Sequence, residues 1–364
     1  MTSSHKTLHL AAPIALSCLM ACGRGDEGQK QDSAATAPAP AKGAADAGGG
    51  PFAYVTNEDS DDITVIDTRT DSAVGTIFVG KRPRGITITP DGRRLFVAVS
   101  GSPKAPPGAD ESKLPPPDRA ADGVAVIDLA TRTLQRTLKS GTDPESFAVT
   151  PDGRTLYVSN EDAGTATVLD VESGSVKQTV KVGGEPEGVT MSPDGKFVYV
   201  TSEEGSEVSV ISTGDNRVVA TFKTDKRPRS SAFLPDGSRA YVTTELGGVV
   251  HVVDARAHTV MKTIRLPGTG AKPMGVVVAP DGRRVYVSTG RGRTVAVIDA
   301  ATDSVVATVD AGDRPWGLAL SADGRKLYTA NGPSNDVSVI ATDSLRVIKK
   351  IKAGRVPWGV VVGR

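Results

Sequence analysis

Seven residues occupy one recurring place in the sequence, directly after a proline and directly before a glycine or serine. These residues, called the ring residues below, are Trp358, Arg84, Glu145, Glu187, Arg229, Met274 and Trp316. Carboxylates in such a set could transfer protons, guanidinium groups could bind an anion, and indole rings could stack on a planar ligand. The set therefore predicts either a binding surface for a flat anionic ligand or a protein loop, or a pair of carboxylates that catalyse hydrolysis.

A second set of acidic residues recurs just after a predicted strand in four places. These rim glutamates are Glu58, Glu161, Glu203 and Glu245. Arg82, Arg227 and Arg314 directly precede three of the recurring prolines and could neutralise this acidic collar. A solvated, internally paired rim is thus favoured over a cation site. No calcium-loop spacing is present, and we expect no bound metal.

Residues for other common catalytic centres are scarce. Both cysteines, Cys18 and Cys22, lie near the N-terminus, and only His251 and His258 remain in the body of the chain. A nucleophilic triad, a histidine-rich metal centre and a histidine-ligated haem therefore have no obvious residues to use, and we expect no catalytic residue. Paired carboxylates, such as Glu145 and Glu187, keep hydrolysis open as an alternative.

An internal repeat positions these residues. All six tyrosines fall at corresponding places of a short segment such as Tyr157-Val158-Ser159-Asn160, and Phe96 fills that place in a seventh copy. The successive spacings of these aromatic residues are 42, 61, 42, 42, 45 and 42. A period in the forties with four short strands is typical of a β-propeller blade. The sequence therefore predicts an all-β fold over residues 51–364, a seven-bladed β-propeller of four-stranded antiparallel blades.

Turn residues and the two chain ends support this architecture. Segments such as Pro193-Asp194-Gly195 recur between the first and second strands of a unit, where proline and glycine suit a hairpin turn. The first copy begins at a second strand, Phe52–Asn57, without an innermost strand before it. Residues 357–362 match the start of an innermost strand, so we expect the C-terminal strand to pair with the N-terminal strands and close the ring.

The same alignment places the ring residues on one face, which we call the upper face. If each innermost strand runs down into its turn, the ring residues and rim glutamates surround the mouth of the central channel. One interpretation is structural: the tryptophans plug the channel, Arg84 pairs with Glu145, and Arg229 pairs with Glu187. The other is a ligand stacked on Trp316 and Trp358 and held by the arginines. The sequence leaves both open.

The N-terminal segment predicts export. Residues 1–21 resemble a signal peptide, and Leu19-Met20-Ala21-Cys22 is similar to the lipobox of bacterial lipoproteins. We expect Cys22 to be lipidated and residues 22–50, rich in Ala, Gly and Pro, to form a disordered tether. A simple secretory signal is the alternative. The predicted location is the periplasm or cell surface, with the protein anchored to a membrane by its lipid.

One repeat carries an insertion at about residues 101–122, on the upper face. It contains six prolines among lysine, aspartate and glutamate residues. Two interpretations remain open. The insertion is either a lid or docking arm over the mouth, or a disordered surface loop without function.

The repeats resemble the YVTN family of β-propeller proteins over essentially residues 51–364. Glu185-Pro186-Glu187-Gly188, residues 331–340 and residues 354–360 are similar to its subgroup associated with pyrroloquinoline-quinone-dependent catabolism. The resemblance implies an exported binding or accessory protein and a partnership with quinoprotein oxidation. Pyrroloquinoline quinone enters as a cofactor only through this resemblance, and the residues themselves indicate none.

These observations predict a non-catalytic exported lipoprotein that acts as a ligand- or protein-binding accessory module. The expected partner is an envelope protein or a small planar or anionic ligand, and the expected oligomeric state is a monomer. The formal net charge of +1 predicts no bulk attraction to nucleic acid. The alternative function is a lactonase-like hydrolase that uses carboxylates at the propeller mouth.

Overall fold

The computed structural model describes residues 51–104 and 113–363. Seven four-stranded antiparallel sheets form a ring, which confirms the predicted seven-bladed β-propeller. The predicted signal peptide (1–21), the lipidation site Cys22, the tether (22–50) and the centre of the insertion lie outside the described residues. Within the described ranges, no helix is long and apolar enough to cross a membrane.

The strands of the first four blades are numbered along the chain and given from the ring axis outward. Blade 1 consists of β28 (Pro357–Val362), β1 (Phe52–Asn57), β2 (Asp62–Asp67) and β3 (Ser72–Phe78). Blade 2 consists of β4 (Ile86–Ile88), β5 (Arg94–Val99), β6 (Gly123–Asp128) and β7 (Thr133–Leu138). Blade 3 consists of β8 (Pro144–Val149), β9 (Thr155–Asn160), β10 (Thr165–Asp170) and β11 (Val176–Lys181). Blade 4 consists of β12 (Pro186–Met191), β13 (Phe197–Ser202), β14 (Glu207–Ser212) and β15 (Arg217–Lys223).

The remaining three blades follow the same order. Blade 5 consists of β16 (Pro228–Phe233), β17 (Arg239–Thr244), β18 (Val249–Asp254) and β19 (Thr259–Arg265). Blade 6 consists of β20 (Val276–Val278), β21 (Arg284–Ser288), β22 (Thr294–Asp299) and β23 (Ser304–Asp310). Blade 7 consists of β24 (Pro315–Leu320), β25 (Lys326–Asn331), β26 (Asp336–Ala341) and β27 (Arg346–Lys352). Two short 3-10 turns, Glu161–Ala163 and Gly290–Gly292, lie on the loops after β9 and β21.

The two ends of the chain meet in blade 1. β28 pairs antiparallel with β1, with Ala53 opposite Val362 and Tyr54 opposite Val361. The predicted closure of the ring is thereby confirmed. Because this pairing supplies the innermost strand of blade 1, that blade has four strands like the other six.

The hydrophobic core is divided among the gaps between blades. Seven clusters of buried side chains are present among the described residues, one at each interface between neighbouring blades. The second and third strands are buried on both faces, as in β2, whereas an outer strand such as β7 is almost wholly exposed. This burial explains why the middle strands carry apolar residues on both faces and do not alternate strictly between apolar and polar residues.

The repeated tyrosines also join neighbouring blades. Their hydroxyls reach the turn before the outermost strand of the next blade: Tyr157 donates to Asn216 (2.5 Å), Tyr241 to Asp303 (2.6 Å) and Tyr328 to Asp71 (2.8 Å). The Tyr199 hydroxyl lies 2.8 Å from Nδ1 of His258. The periodic aromatic residue therefore combines core packing with a polar bond at the interface.

The innermost strands approach each other so closely that side chains are excluded. A Cβ on Gly188 would lie 2.4 Å from the carbonyl oxygen of Arg229, and one on Gly317 would lie 2.5 Å from that of Trp358. Hydroxyls on five second strands donate to ring-residue carbonyls of the next blade: Thr56 to Arg84, Ser159 to Glu187, Thr201 to Arg229, Thr243 to Met274 and Ser288 to Trp316. The backbone of the ring residues is thus held by the preceding blade.

We expect Gly188→Ala to reduce the free energy of unfolding by about 1–3 kcal/mol, because its Cβ must push two innermost strands apart. Gly75→Ala is the matched control. Gly75 lies on an exposed outer strand, where the nearest atom to a new Cβ is 3.9 Å away, and the change should stay within about 0.5 kcal/mol. Denaturant unfolding followed by circular dichroism measures both. Equal stability of the two variants would contradict the close-approach argument.

Candidate functional site

The structure brings the ring residues to one side of the propeller. Six of them line a single cavity of about 840 Å³ on the upper face, which we call the mouth: Arg84, Glu145, Glu187, Arg229, Trp316 and Trp358. The seventh, Met274, is buried and lines a narrower space of about 170 Å³ along the axis below. Of the rim glutamates, Glu58 and Glu161 line the mouth, whereas Glu203 and Glu245 contact Arg229.

The residue before the recurring proline has an unusual backbone conformation in most blades. In six of the seven blades, that predecessor is a non-glycine residue with positive φ: Arg82, Asp143, Glu185, Arg227, Arg314 and Val356. Such residues cost free energy and persist where the surrounding structure holds them. Here the bonded innermost strands hold them, and five of the six, all except Val356, line the mouth.

Arg84 is the centre of the first charged cluster. Its guanidinium pairs with Asp143 and Glu145, donates to the carbonyl of Pro144 (3.1 Å) and lies 3.6 Å from Oε2 of Glu161. Carboxylate oxygens of Asp143, Glu145 and Glu161 lie within 4.8 Å of one another, a spacing that could hold a metal ion. Because Arg84 already contacts all three, its positive charge supplies the compensation that a cation would otherwise give.

Arg229 is the centre of the second charged cluster. Its guanidinium contacts Glu187 (2.8 Å), Glu245 (3.0 Å) and Glu203. Burial alone would lower the pKa of Arg229, but the three carboxylates raise it above its usual range. The Arg84–Glu145 and Arg229–Glu187 pairs of the structural interpretation are therefore both present, and neither Glu145 nor Glu187 is free.

Two rim glutamates have pKa values close to neutral. Burial, followed by the negative charge of Glu187, raises the pKa of both Glu161 and Glu203 to about 8, against the opposing effect of nearby arginines. The Glu161 side chain keeps 28% of its surface exposed, whereas that of Glu203 keeps 1%. Of these two, Glu161 is therefore the carboxyl group that a molecule in the mouth can reach, with a pKa suited to proton transfer.

The sequence predicts Glu161 as a rim residue, but it does not indicate that this carboxyl group is suited to proton transfer. The repeat reveals its position but not the three acidic side chains of blades 3 and 4, Asp143, Glu185 and Glu187, that lie around it. The residues expected to be the paired carboxylates, Glu145 and Glu187, are instead sequestered by arginines.

The two tryptophans lie against each other on the same side of the ring. Their ring centroids are 5.7 Å apart with an interplanar angle of 50°. Both are partly exposed, and both line the mouth as well as the space below it. Trp316 and Trp358 thus form a floor to the mouth that retains apolar surface for contact with a ligand.

The described ends of the insertion pack around the mouth. Leu114 and residues 115–117 line it, Lys104 pairs with Glu58 (2.9 Å), and Arg119 pairs with Asp162 (2.5 Å). The flanks of the insertion therefore form part of the mouth wall, and residues 105–112 lie outside the described ranges.

The two histidines of the body have structural roles. His251 is buried, accepts from the backbone N–H of Asp225 (3.0 Å) and lies 3.0 Å from the hydroxyl of Thr263. His258 bonds to Tyr199 between blades. Neither lines the mouth.

Two family models match parts of the chain. The model described as "Lactonase, 7-bladed beta-propeller" matches residues 214–358, less than half of the chain. The model described as "Cytochrome D1 heme domain" matches residues 117–240. With both described histidines bonded elsewhere, this second match brings no histidine ligand for haem to the mouth.

Individual proteins show the same fold. Hydrazine synthase of Kuenenia stuttgartiensis has a TM-score of 0.65 at 23% identity, covering 77% of this chain and 89% of its own. A protein of Bacteroides fragilis, provisionally assigned as a 6-phosphogluconolactonase, has a TM-score of 0.70 at 18% identity, covering 85% and 96%. Antigen Lp49 of Leptospira interrogans is 27% identical over 136 residues, and this chain spans 30% of its length.

These comparisons correct the predicted function. The match to the lactonase model favours the lactonase-like alternative over a non-catalytic accessory module, so the prediction of a binding module without chemistry is wrong. The scarcity of histidine and cysteine nucleophiles does not exclude hydrolysis. Ester hydrolysis needs only a carboxylate base and water.

We expect Arg84→Met to reduce the free energy of unfolding by about 3–5 kcal/mol at neutral pH, because it leaves the buried carboxylates of Asp143 and Glu145 together without compensation. The loss should shrink at acidic pH, since protonated carboxyl groups no longer repel one another. Lys196→Met, which removes an exposed pair with Asp194, is the control and should cost less than about 0.5 kcal/mol. Denaturant unfolding at several pH values measures both, and similar losses would contradict the role given to Arg84.

Proposed function

We propose that this protein hydrolyses lactones in the mouth of the propeller, with Glu161 as the group that transfers the proton. The observation that carries the proposal is a reachable carboxyl group with a pKa of about 8 in the wall of the mouth. The match to the lactonase model supports the same reaction class.

In the proposed reaction, one proton moves first from water to Glu161 and then from Glu161 to the leaving oxygen. The ionised carboxylate of Glu161 accepts a proton from water while the water oxygen bonds to the lactone carbonyl carbon. The ring C–O bond then breaks, and the departing alkoxide takes the proton back from Glu161, which yields a hydroxy acid. A carboxyl group with a pKa near the working pH can serve both as base and as acid.

Positive charge around the mouth favours the oxyanion that forms during attack. Arg227 lines the mouth and keeps 42% of its side chain exposed while pairing with Glu203. Guanidinium groups that are fixed before the reaction stabilise developing negative charge without reorganisation. Arg84 has a different role, because it is saturated by carboxylates and holds Glu161 in place.

The location of the protein remains part of the proposal. We propose that the chain is exported and anchored through Cys22, as the lipobox-like segment indicates, and that its repeats are of the YVTN type. Under this proposal, hydrolysis takes place in the cell envelope on lactones that reach it from outside the cytoplasm.

We expect kcat/KM for lactone hydrolysis to rise with pH and level off above about 8, since the base form of Glu161 is required. Glu161→Gln should reduce turnover by about 10²-fold or more and remove this pH dependence. Glu187→Gln should shift the rise to lower pH, because the charge of Glu187 raises the pKa of Glu161. Rates are measured on a sugar δ-lactone with the spontaneous hydrolysis subtracted.

Glu204→Gln is the matched control, since Glu204 lines the mouth but is exposed. This substitution should leave the pH profile unchanged. A divalent-metal chelator should also leave it unchanged, because Arg84 supplies the positive charge beside the carboxyl groups that a metal ion would otherwise supply. Wild-type protein without turnover above background, or a Glu161→Gln variant with full activity, would overturn the proposal.

A further inference from the structure

The cations of the mouth differ in whether a carboxylate compensates them. Most have an acidic partner within ion-pairing distance: Arg82 with Glu58 (3.2 Å), Lys104 with Glu58 (2.9 Å), Arg119 with Asp122 (3.2 Å), Arg227 with Glu203, and Arg229 with Glu187 (2.8 Å). Such pairs are neutral overall and offer a ligand little net charge.

Arg314 is the exception in the mouth. Across residues 51–104 and 113–363, no carboxylate lies within ion-pairing distance of its guanidinium, which stacks instead over Trp316 at 4.8 Å. Burial lowers the pKa of Arg314, and Glu245 opposes that effect only from a distance. The protein therefore holds a partly desolvated positive charge without a close counter-ion, which is unfavourable unless another group compensates it.

The surroundings of Arg314 make one sector of the mouth cationic. The charge of Arg291, on the exposed 3-10 turn of blade 6, further lowers the pKa of Arg314, and no described carboxylate pairs with Arg291 either. The acidic residues around Glu161, by contrast, come from blades 3 and 4. A ligand that spans the mouth thus meets positive charge near blades 6 and 7 and carboxyl groups on the other side.

The aromatic floor lies next to this cationic sector. Trp316 carries Arg314 on one ring face, and Trp358 lies at 5.7 Å from Trp316 with exposed surface. Indole surfaces contact the apolar face of a sugar or cyclic ether ring, while an adjacent arginine binds a carboxylate through paired N–H donors. The groups that could contact a ligand ring, Trp316 and Trp358, therefore lie next to the group that could bind its anion, Arg314.

We propose that Arg314, Trp316 and Trp358 form a subsite for the ring and carboxylate of a monoanionic lactone, so that Arg314 selects carboxylate-bearing lactones over neutral ones. This inference rests on the proposed lactone hydrolysis and adds the substrate class. The carboxylate lies against Arg314, the ring lies on the tryptophans, and the lactone carbonyl faces the side of Glu161.

A single negative charge suits the subsite better than a double one. Glu245 and Glu58 both act electrostatically on Arg314, so their charges also reach a ligand bound there. Of the two arginines in this cationic sector, neither with a close counter-ion among the described residues, only Arg314 lines the mouth. It therefore compensates one negative charge, and the second charge of a phosphate dianion would face Glu245 and Glu58 without compensation. The chemistry therefore indicates a sugar-acid lactone with one free carboxylate.

Binding can be tested without turnover, because Trp316 and Trp358 are the only tryptophans of the chain. Tetrahydropyran-2-carboxylate, which has the ring and the carboxylate but no lactone, should change the intrinsic tryptophan fluorescence in a saturable manner. Its affinity should fall about tenfold or more in Arg314→Gln. Tetrahydropyran-2-carboxamide, the neutral analogue, should bind weakly and equally to both proteins. Arg293→Gln, which removes an exposed arginine paired with Asp313, is the control and should bind like the wild type.

The outcomes separate this inference from the proposed reaction. Absence of carboxylate binding by the wild type, equal binding by Arg314→Gln, or tighter binding of tetrahydropyran-2-ylmethyl phosphate than of the carboxylate would overturn the subsite, whatever the turnover. Turnover of D-glucaro-1,4-lactone should exceed that of D-glucono-1,4-lactone at least tenfold in kcat/KM, and Arg314→Gln should remove this preference. Carboxylate binding without any lactone turnover would support the subsite and refute the proposed reaction.

Melting curves establish that each variant is folded. Loss of carboxylate binding by the wild type at high salt provides a further check that needs no variant.

Discussion

The close approach of the innermost strands is the constraint on which the rest of the propeller depends. Glycines such as Gly188 and Gly317 leave no room for a Cβ, and second-strand hydroxyls bond to ring-residue carbonyls of the next blade. The backbone of each ring residue is therefore fixed relative to its neighbour. Ring residues far apart in sequence present their side chains to one cavity from fixed positions at or next to the start of the innermost strands.

This fixed spacing determines the electrostatics of the mouth. Carboxyl groups from neighbouring blades cannot move apart, so each raises the cost of ionising the others, and burial adds to that cost. Arg84 and Arg229 compensate most of the charge, but Glu161 and Glu203 retain pKa values of about 8. A titratable group near neutral pH thus arises from backbone geometry, without histidine or metal.

The fold could be predicted from sequence because its determinants are local and repeated. The tyrosine period, the turn residues and the innermost-strand match at residues 357–362 required no knowledge of distances. The shared rim position of Trp316 and Trp358 followed from the register of the repeat. The raised pKa of Glu161 and the uncompensated charge of Arg314 could not be predicted, because each depends on how residues of different blades approach across the mouth.

The mouth also links stability to activity. Because the folded-state pKa of Glu161 lies above its unfolded value near 4.5, its proton stabilises the fold below that value, and this contribution is lost as the pH rises through about 8. The ionised form that removes a proton from water is thus the less stable one. Well-packed apolar residues in place of Arg84, Asp143 and Glu145 would avoid the free-energy cost of burying charges. They would also remove Asp143, an acidic side chain that raises the pKa of Glu161. The buried ion pairs are therefore better explained by the chemistry of the mouth than by the stability of the propeller.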